Sequence, residues 1–295
     1  MTETLSDRLR SRLEKRLAET AAGFGAASPA LGRAMEDAAL SSGKRFRGML
    51  LLMAAEAAGG ACDACVDAAA ALEIVHAASL VFDDLPCMDD ARLRRGRPAT
   101  HVAHGESRAV LAGIALITEA MRLLATARGA GPAIQARLVA ILSHALGPLG
   151  LCAGQDLDLS AEKTPDGVQR EQDLKTGVLF IAGLEMLAAL KGIEQDELEA
   201  MIAFGRQLGR VFQSYDDLLD LLGDSASTGK DTGRDRREDG PARGVLAVAD
   251  LQDVSRGYEA RRAELDRMLR GRRIHHPEIQ ALLARVLPHR LKRPA

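Results

Sequence analysis

Apolar residues recur at three- and four-residue spacing along 5–20, 66–85, 106–127, 133–151, 174–191 and 196–222. That period aligns one face of an α-helix. Between these stretches lie GFGAASP at 23–29, AAGGACDA at 57–64, RGRP at 95–98, ARGAGP at 127–132 and AEKTPDG at 161–167. Gly and Pro at such spacing end helices and make turns. No strand-period run with hairpin punctuation is visible, so the pattern predicts an all-α chain. Two central helices are so uniformly apolar that burial on most sides is expected. Nothing reads as an interdomain linker, and residues 1–295 are expected to form a single-domain helical bundle. The longest polar stretch is 223–243, GDSASTGKDTGRDRREDGPAR. Loops beyond about 12–15 residues commonly serve as lids or binding loops.

Composition sharpens this picture mainly by exclusion. Ala, Leu, Glu, Arg and Met are strong helix formers, and 47% hydrophobic with 27% charged residues suits a globular core. Aromatics amount to only 3%, with no Trp. That argues against a β-sandwich or barrel and against base-stacking nucleic-acid modules. A formal net charge of -2 leaves any basic site local and speaks against a nucleic-acid partner. Four cysteines are too few for a disulfide framework. Cys62 and Cys65 form a CxxC without the second pair of a zinc site or the βαβ setting of a thioredoxin motif, so they read as incidental thiols in a turn between helices. The N-terminus lacks the apolar region of a signal peptide, and no run of 18 apolar residues is free of charge, so no membrane span is expected. A reducing, cytoplasmic setting is the expectation.

The chemistry concentrates in two acidic clusters, LVFDDLPCMDD at 80–90 and FQSYDDLLD at 212–220. Each follows an apolar helical run. Carboxylates at a helix C-terminus meet the negative end of the helix dipole, and burying them is costly without a positive partner. A hard divalent cation removes both costs. Mg2+ favours oxygen ligands and binds through one or two carboxylates plus substrate phosphates. Asp216 and Asp220 lie four apart, on one helical face, with Asp217 beside them. Pro86 breaks the first helix and gives Asp89 a way back toward Asp83 and Asp84.

Basic residues come in matching sets: Gly43-Lys44-Arg45-Phe46-Arg47 ahead of an apolar helix, Arg94 and Arg95 in LRRGRP, Lys175-Thr176-Gly177 interrupting a helix, and Lys230 beyond the second acidic cluster. Lys binds phosphate as a point charge and Arg as a fork. Acids, Mg2+ and bases set on apolar helices suggest a diphosphate headgroup with a hydrophobic tail. A lone His on such a helix is more often a core residue. His76 precedes Asp83 by seven residues, however, two turns along the same face.

In this order GKRFR, HAASLVFDDLPCMDD, LRRGRP, GQDLDL, KTGVLF, FQSYDDLLD and TGK resemble the trans-isoprenyl diphosphate synthases, or polyprenyl synthetases, from about residue 40 to 235. The HAAS to LRRGRP stretch is most similar to bacterial geranylgeranyl diphosphate synthases of carotenoid and chlorophyll pathways. The resemblance implies an all-α bundle around a central cavity, usually a homodimer. The implied reaction joins isopentenyl diphosphate head to tail to an allylic diphosphate, with two or three Mg2+ ions. Carried over residue by residue, it places Asp83, Asp84 and Asp89 on Mg2+ at one side of the allylic diphosphate. Asp216, with Asp217 and Asp220, would hold a further Mg2+ at the other. Arg94, Lys175 and Lys230 would contact the allylic diphosphate; Lys44, Arg47, His76 and Arg95 would hold isopentenyl diphosphate without metal. Thr176 and Gln213 would flank the developing cation, and Phe212 would line the cavity. The 223–243 loop would close over the diphosphate. The residues depart from the resemblance at two positions: Gly48 stands where Pro is usual, and Pro241 replaces a second loop lysine, so that either Arg234 or Arg243 substitutes or one diphosphate contact is lost.

Product length is expected to follow the α-helical turn upstream of Asp83. Each turn of about 5.4 Å roughly matches one isoprene unit. Small residues, Ala78 and Ser79, stand where members that stop at farnesyl diphosphate commonly carry an aromatic; Ala71, Ile74 and Val75 form the next levels. A geranylgeranyl product is the expectation, farnesyl diphosphate the alternative. Ala78 also has a plain reading as a helix-packing alanine. A terpene cyclase would need more aromatics and a mixed second metal motif. A head-to-head synthase lacks the GKRFR set. A non-catalytic regulatory subunit would carry broken aspartate motifs, and both are whole here.

Overall fold

The computed structural model describes residues 3–159, 165–221 and 251–289. Lys230, Arg234, Pro241, Arg243 and the whole 223–243 segment lie outside these residues, as does the side chain of Asp220. The described chain falls into two compact units, one running to Val139 and including Ala189–Lys191, the other comprising Ala140–Ala188 and the residues from Gly192 onward.

In the first unit, helix α1 (Leu5–Ala21) starts at a capping box in which Thr4 and Asp7 satisfy each other's backbone N–H. Leu9, Leu13 and Leu17, one face at four-residue spacing, are fully buried. Helix α2 (Pro29–Ala39) has Ser28 as its N-cap and Pro at its first position, where a missing N–H costs nothing. Helix α3 (Phe46–Ala57) and helix α4 (Asp63–Asp83) are buried almost all round, as their uniform apolarity predicts. Helix α5 (Thr100–His104) is short, and α6 (Glu106–Ala125) packs along α4. Close approach is bought at Gly113, where an added Cβ would stand 2.5 Å from the Phe82 ring. The RGRP turn is tighter than the helical pattern suggests. Strands β1 (Leu93–Arg94) and β2 (Arg97–Pro98) pair antiparallel, with Arg95 and Gly96 both at positive φ, the backbone of a two-residue hairpin turn. Two ladder residues per strand are too few for periodicity to register.

Helix α7 (Pro132–Leu146) crosses the sequence boundary between the units. The 133–151 stretch, one periodic run in the sequence, over-runs this helix: Gly147-Pro148-Leu149-Gly150 ends α7, and α8 (Leu151–Leu159) lies almost wholly beyond the run. Pro148 disfavours helical backbone at Gly147. The second unit continues with α9 (Pro165–Gln172), a π-helical turn at Asp173–Gly177, α10 (Val178–Lys191), α11 (Gln195–Leu221), α12 (Leu251–Leu269) and α13 (Pro277–Val286). Arg262 on α12 is buried, donating to Leu287 O at 2.9 Å and pairing with Asp266.

Two segments are long and apolar enough to cross a membrane by length and composition. Asp63–Asp83 is 78% buried inside the protein over its most apolar window, the property of a core helix. Pro132–Leu159 is 33% buried and broken by the turn after Leu146.

Candidate active site

Helix α4 is closed on every side but one. His76, Ser79, Leu80 and Asp83 are half-buried along a helix whose other residues from Ala64 to Val81 are buried. Their spacing, i, i+3, i+4, i+7, makes a single stripe. Phe82 turns instead to Gly113 of α6. Ala78 lies off the stripe and is fully buried, while Ser79 lies on it.

The helix stops at Asp83, and the chain doubles back around exposed Pro86. Asp89 N–H donates to Asp83 O at 2.9 Å, Asp90 N–H to Leu85 O at 3.0 Å and Ala91 N–H to Asp84 O at 3.1 Å. Asp90 takes positive φ to close the loop. The Asp89 backbone is thereby returned to the helix end. Asp83 and Asp89 are half-buried, and Asp84 is buried at 2% exposure. Arg94 of β1 grips Asp84, with Nε 3.0 and 3.1 Å from the two carboxylate oxygens and Nη2 on Oδ1.

The hairpin turn gives neighbouring arginines opposite electrostatic fates. Burial works against the Arg94 cation, but Asp84, then Asp83 and Asp89, outweigh it, and its pKa stands above the ordinary value. Burial and the like charges of Arg45 and Arg94 push Arg95 below its ordinary value, against weaker support from Glu73 and Asp84. Arg95 remains a cation with too little negative charge around it.

Arg95 joins the hairpin to the first basic segment. Its Nη1 donates to Ser41 Oγ at 2.8 Å. Gly43 lies against the guanidinium, so that an added Cβ would stand 2.8 Å from Nη1. Lys44 beside it is exposed, and Arg47 is buried at the start of α3. Arg45, at positive φ, is the anchor of the segment: it pairs with Glu14 at 3.1 Å and donates to Ala39 O at 3.0 Å. Gly48 N–H donates to the buried carboxylate of Glu73 at 2.8 Å. A Pro at this position, having no N–H, could not make that bond.

In the second unit the interruption at Lys175-Thr176-Gly177 is the π-helical turn, a feature frequent at functional sites. Glycines let two helices close on it. A Cβ on Gly154 of α8 would lie 2.4 Å from Lys175 N, and one on Gly209 of α11 would lie 2.4 Å from Gly177 Cα. Lys175 pairs with Asp158 of α8 at 2.5 Å. Thr176 Oγ1 donates to Gln213 Oε1 at 2.8 Å, and Gln213 Nε2 donates to Asp217 Oδ1 at 2.9 Å. Asp217 is buried; Asp216 beside it is half-buried. Arg210, one turn earlier, is locked to Asp173 by two bonds of 2.8 Å. Phe212 is half-buried with its ring 5.9 Å from Phe180.

Asp158, Ser41 and Glu73 are polar partners that the sequence reading passes over. A signal existed only for Asp158, which lies in GQDLDL; nothing in the sequence pairs it with Lys175. Among the described residues no three His, Cys, Asp or Glu side chains are gathered at one cation position. Both clusters nevertheless offer hard oxygen donors in ones and twos, the donor set of an ion that keeps waters and takes the rest of its shell from phosphate. The residues fit Mg2+.

Comparison with known proteins defines the class. The polyprenyl synthetase family model matches residues 28–286, and the chain belongs to that family. The curated geranylgeranyl diphosphate synthase of Pantoea ananas is 42% identical over 70% of this chain and 68% of its own length. That of Cereibacter sphaeroides is 41% identical over 76% and 77%. The crystal structure of geranyltransferase from Helicobacter pylori complexed with magnesium and isoprenyl diphosphate superposes with a TM-score of 0.86 at 29% identity, covering 96% of this chain and 97% of that one. The fold is that of the isoprenyl diphosphate synthases.

Proposed function

We propose that the chain is a head-to-tail prenyltransferase, one catalytic domain that condenses isopentenyl diphosphate with an allylic diphosphate and stops at geranylgeranyl diphosphate. The observation that carries this reading is the turn after α4, which returns the Asp89 backbone to Asp83 O at 2.9 Å and sets Arg94 on Asp84 and Arg95 on Ser41. Arg94 is already balanced by the first acidic cluster, as suits a group that shares a diphosphate with cations. Arg95 stands against the neutral Ser41 and Gly43 rather than a carboxylate, as suits a group that receives an anion without metal.

Asp83, Asp84 and Asp89, and Asp216 with Asp217 and Asp220, would hold Mg2+, which would supply Lewis-acid stabilisation of the departing diphosphate. Arg94, Lys175 and Lys230 bind the allylic diphosphate and add preorganised positive charge where the leaving oxygen gains negative charge. Arg95, Lys44, Arg47 and His76 fix the second diphosphate and so align its double bond with the allylic carbon. The hydrogen-bond chain from Thr176 through Gln213 to Asp217 fixes two oxygen dipoles beside the developing cation. The growing tail follows the stripe of α4 past Ser79. Water would quench the cation; the closing role expected of 223–243 falls on residues outside those described.

A homodimer is part of the proposal. Val110, Leu111 and Ile114 form an exposed apolar row on α6, which suits a face covered by a second copy. Light scattering should give twice the chain mass.

The test is direct. Purified protein with Mg2+, isopentenyl diphosphate and dimethylallyl, geranyl or farnesyl diphosphate should give geranylgeranyl diphosphate from each primer. Accumulation of farnesyl diphosphate, with none extended, would select the shorter product. Absence of any condensation would leave the regulatory-subunit reading.

A further inference from the structure

The geometry points to a thiol–disulfide site at the opposite end of α4 from Asp83, where Cys62 and Cys65 are built to close a reversible intramolecular disulfide. The two Sγ atoms stand 3.3 Å apart across the first turn of the helix. Cys62 is the N-cap residue and exposed, whereas Cys65 is fully buried. One sulfur is thus offered to solvent and the other held in reserve behind it, the division between attacking and resolving thiols.

The turn carrying the pair is held from several sides. Arg12 donates to Ala61 O at 2.8 Å and meets Asp63 at 3.3 Å. Ala61 N–H donates to Glu56 Oε1 at 3.2 Å, and Lys191 Nζ donates to Gly60 O. Gly59 and Gly60 both take positive φ to bring the chain round into α4. These anchors fix the approach of the two thiols before any bond forms, which lowers the entropy cost of closure.

The electrostatics follow the same division. Burial opposes ionisation of Cys62, but the Cys65 backbone N–H and thiol, the Lys191 ammonium and the Ala64 N–H together bring it below its ordinary value. Burial, then the neighbouring Cys62 sulfur, raises Cys65 to about 12. Cys62 is therefore the nucleophile, and thiolate character governs attack.

The co-reactant is a small-molecule disulfide such as oxidised glutathione. The Cys62 thiolate attacks one of its sulfurs, forms a mixed disulfide and expels one thiolate. That thiolate's charge is taken up by the Cys65 proton, directly or through water. The Cys65 thiolate then attacks Cys62 Sγ, breaks the mixed disulfide and releases the second small thiol. Two protein thiols are oxidised and one small disulfide is reduced to two thiols. Forming the mixed disulfide also removes the Cys62 charge that opposes ionisation of Cys65, so the first step promotes the second.

The experiment equilibrates the native, full-length chain in glutathione buffers from fully reduced to fully oxidised, traps thiols by acid and alkylation, and maps them by peptide mass spectrometry. Oxidation should join Cys62 and Cys65 in one bridged, glutathione-free species two hydrogens lighter than the dithiol, and reduction should restore both thiols. The isolated thiols Cys87 and Cys152, both exposed, should not form the bridge. Cys65→Ser should trap glutathione on Cys62, and Cys62→Ser should leave Cys65 unreacted in the native chain. Independent alkylation of Cys62 and Cys65 at every buffer ratio, or a lasting glutathione adduct on Cys62 of the unmutated chain, overturns the proposal. The wild-type titration decides even if a variant fails to fold, and because it reads thiols alone it is independent of whether the chain makes any prenyl diphosphate.

Discussion

Replacing Arg94 with Met keeps the aliphatic stem and removes the charge that neutralises Asp84. The Arg94 and Asp84 side chains are only 15% and 3% exposed. Removing one partner of a buried pair strands the other charge and costs about 3–5 kcal/mol, a large share of the roughly 5–15 kcal/mol that holds a domain folded. Urea denaturation without metal should show this loss. Mg2+ alone, without diphosphate, should then stabilise the variant more than the wild type, because the cation substitutes for the missing guanidinium beside Asp84. Ligand at a hundred times its dissociation constant contributes about 2.7 kcal/mol, so the difference is measurable. A loss below about 1 kcal/mol, the range of solvated pairs, would show that Asp84 does not need its partner. An equal gain from Mg2+ in both proteins would show that the ion does not reach Asp84.

Arg95→Ala should lower kcat/KM for isopentenyl diphosphate by about 1.5–3 kcal/mol, roughly 10- to 150-fold, the range of hydrogen bonds to charged groups; an unchanged value for that substrate removes Arg95 from its site. Gly209→Ala drives a Cβ to 2.4 Å from the Gly177 backbone, so a thermal melt should show overpacking of about 1–3 kcal/mol or more, with Lys175 and Thr176 displaced and activity reduced; a fully stable, active variant would mean α11 can move away without consequence. Ser79→Phe, on the open stripe, should shorten the product toward farnesyl diphosphate on chromatography, whereas Ala78→Phe, off the stripe, should act on the product only by shifting α4. Ala78→Phe should also destabilise by about 1–3 kcal/mol because its position is fully buried, and a folded Ser79→Phe variant with an unaltered product would mean the tail does not pass that turn.

Helix content, the buried character of α4 and α10 and the break at 175–177 were legible from the chain alone, because periodicity and breakers are local properties. So were the acidic and basic residues themselves, since an acid placed beside a helix end is chemically conspicuous wherever it lies in space. The family resemblance rested on the same local motifs, and the family model confirms it. Less legible were features with too few residues to show a period, such as β1 and β2, or with a break hidden inside an apolar run, as after Leu146.

What the tertiary structure alone decided is which charge meets which. Asp84 is taken by Arg94, Lys175 by Asp158, Gln213 by Thr176 and Gly48 N–H by Glu73, and each bond joins chain segments whose separation in sequence carries no information about distance. The same holds for Arg94 and Arg95. They are adjacent and chemically identical, yet one is compensated and the other is not, because a two-residue hairpin turn sends their side chains into different surroundings. Residue type fixes what a group is able to do; the dielectric and the neighbours that set its charge state arise only when distant parts of the chain pack together.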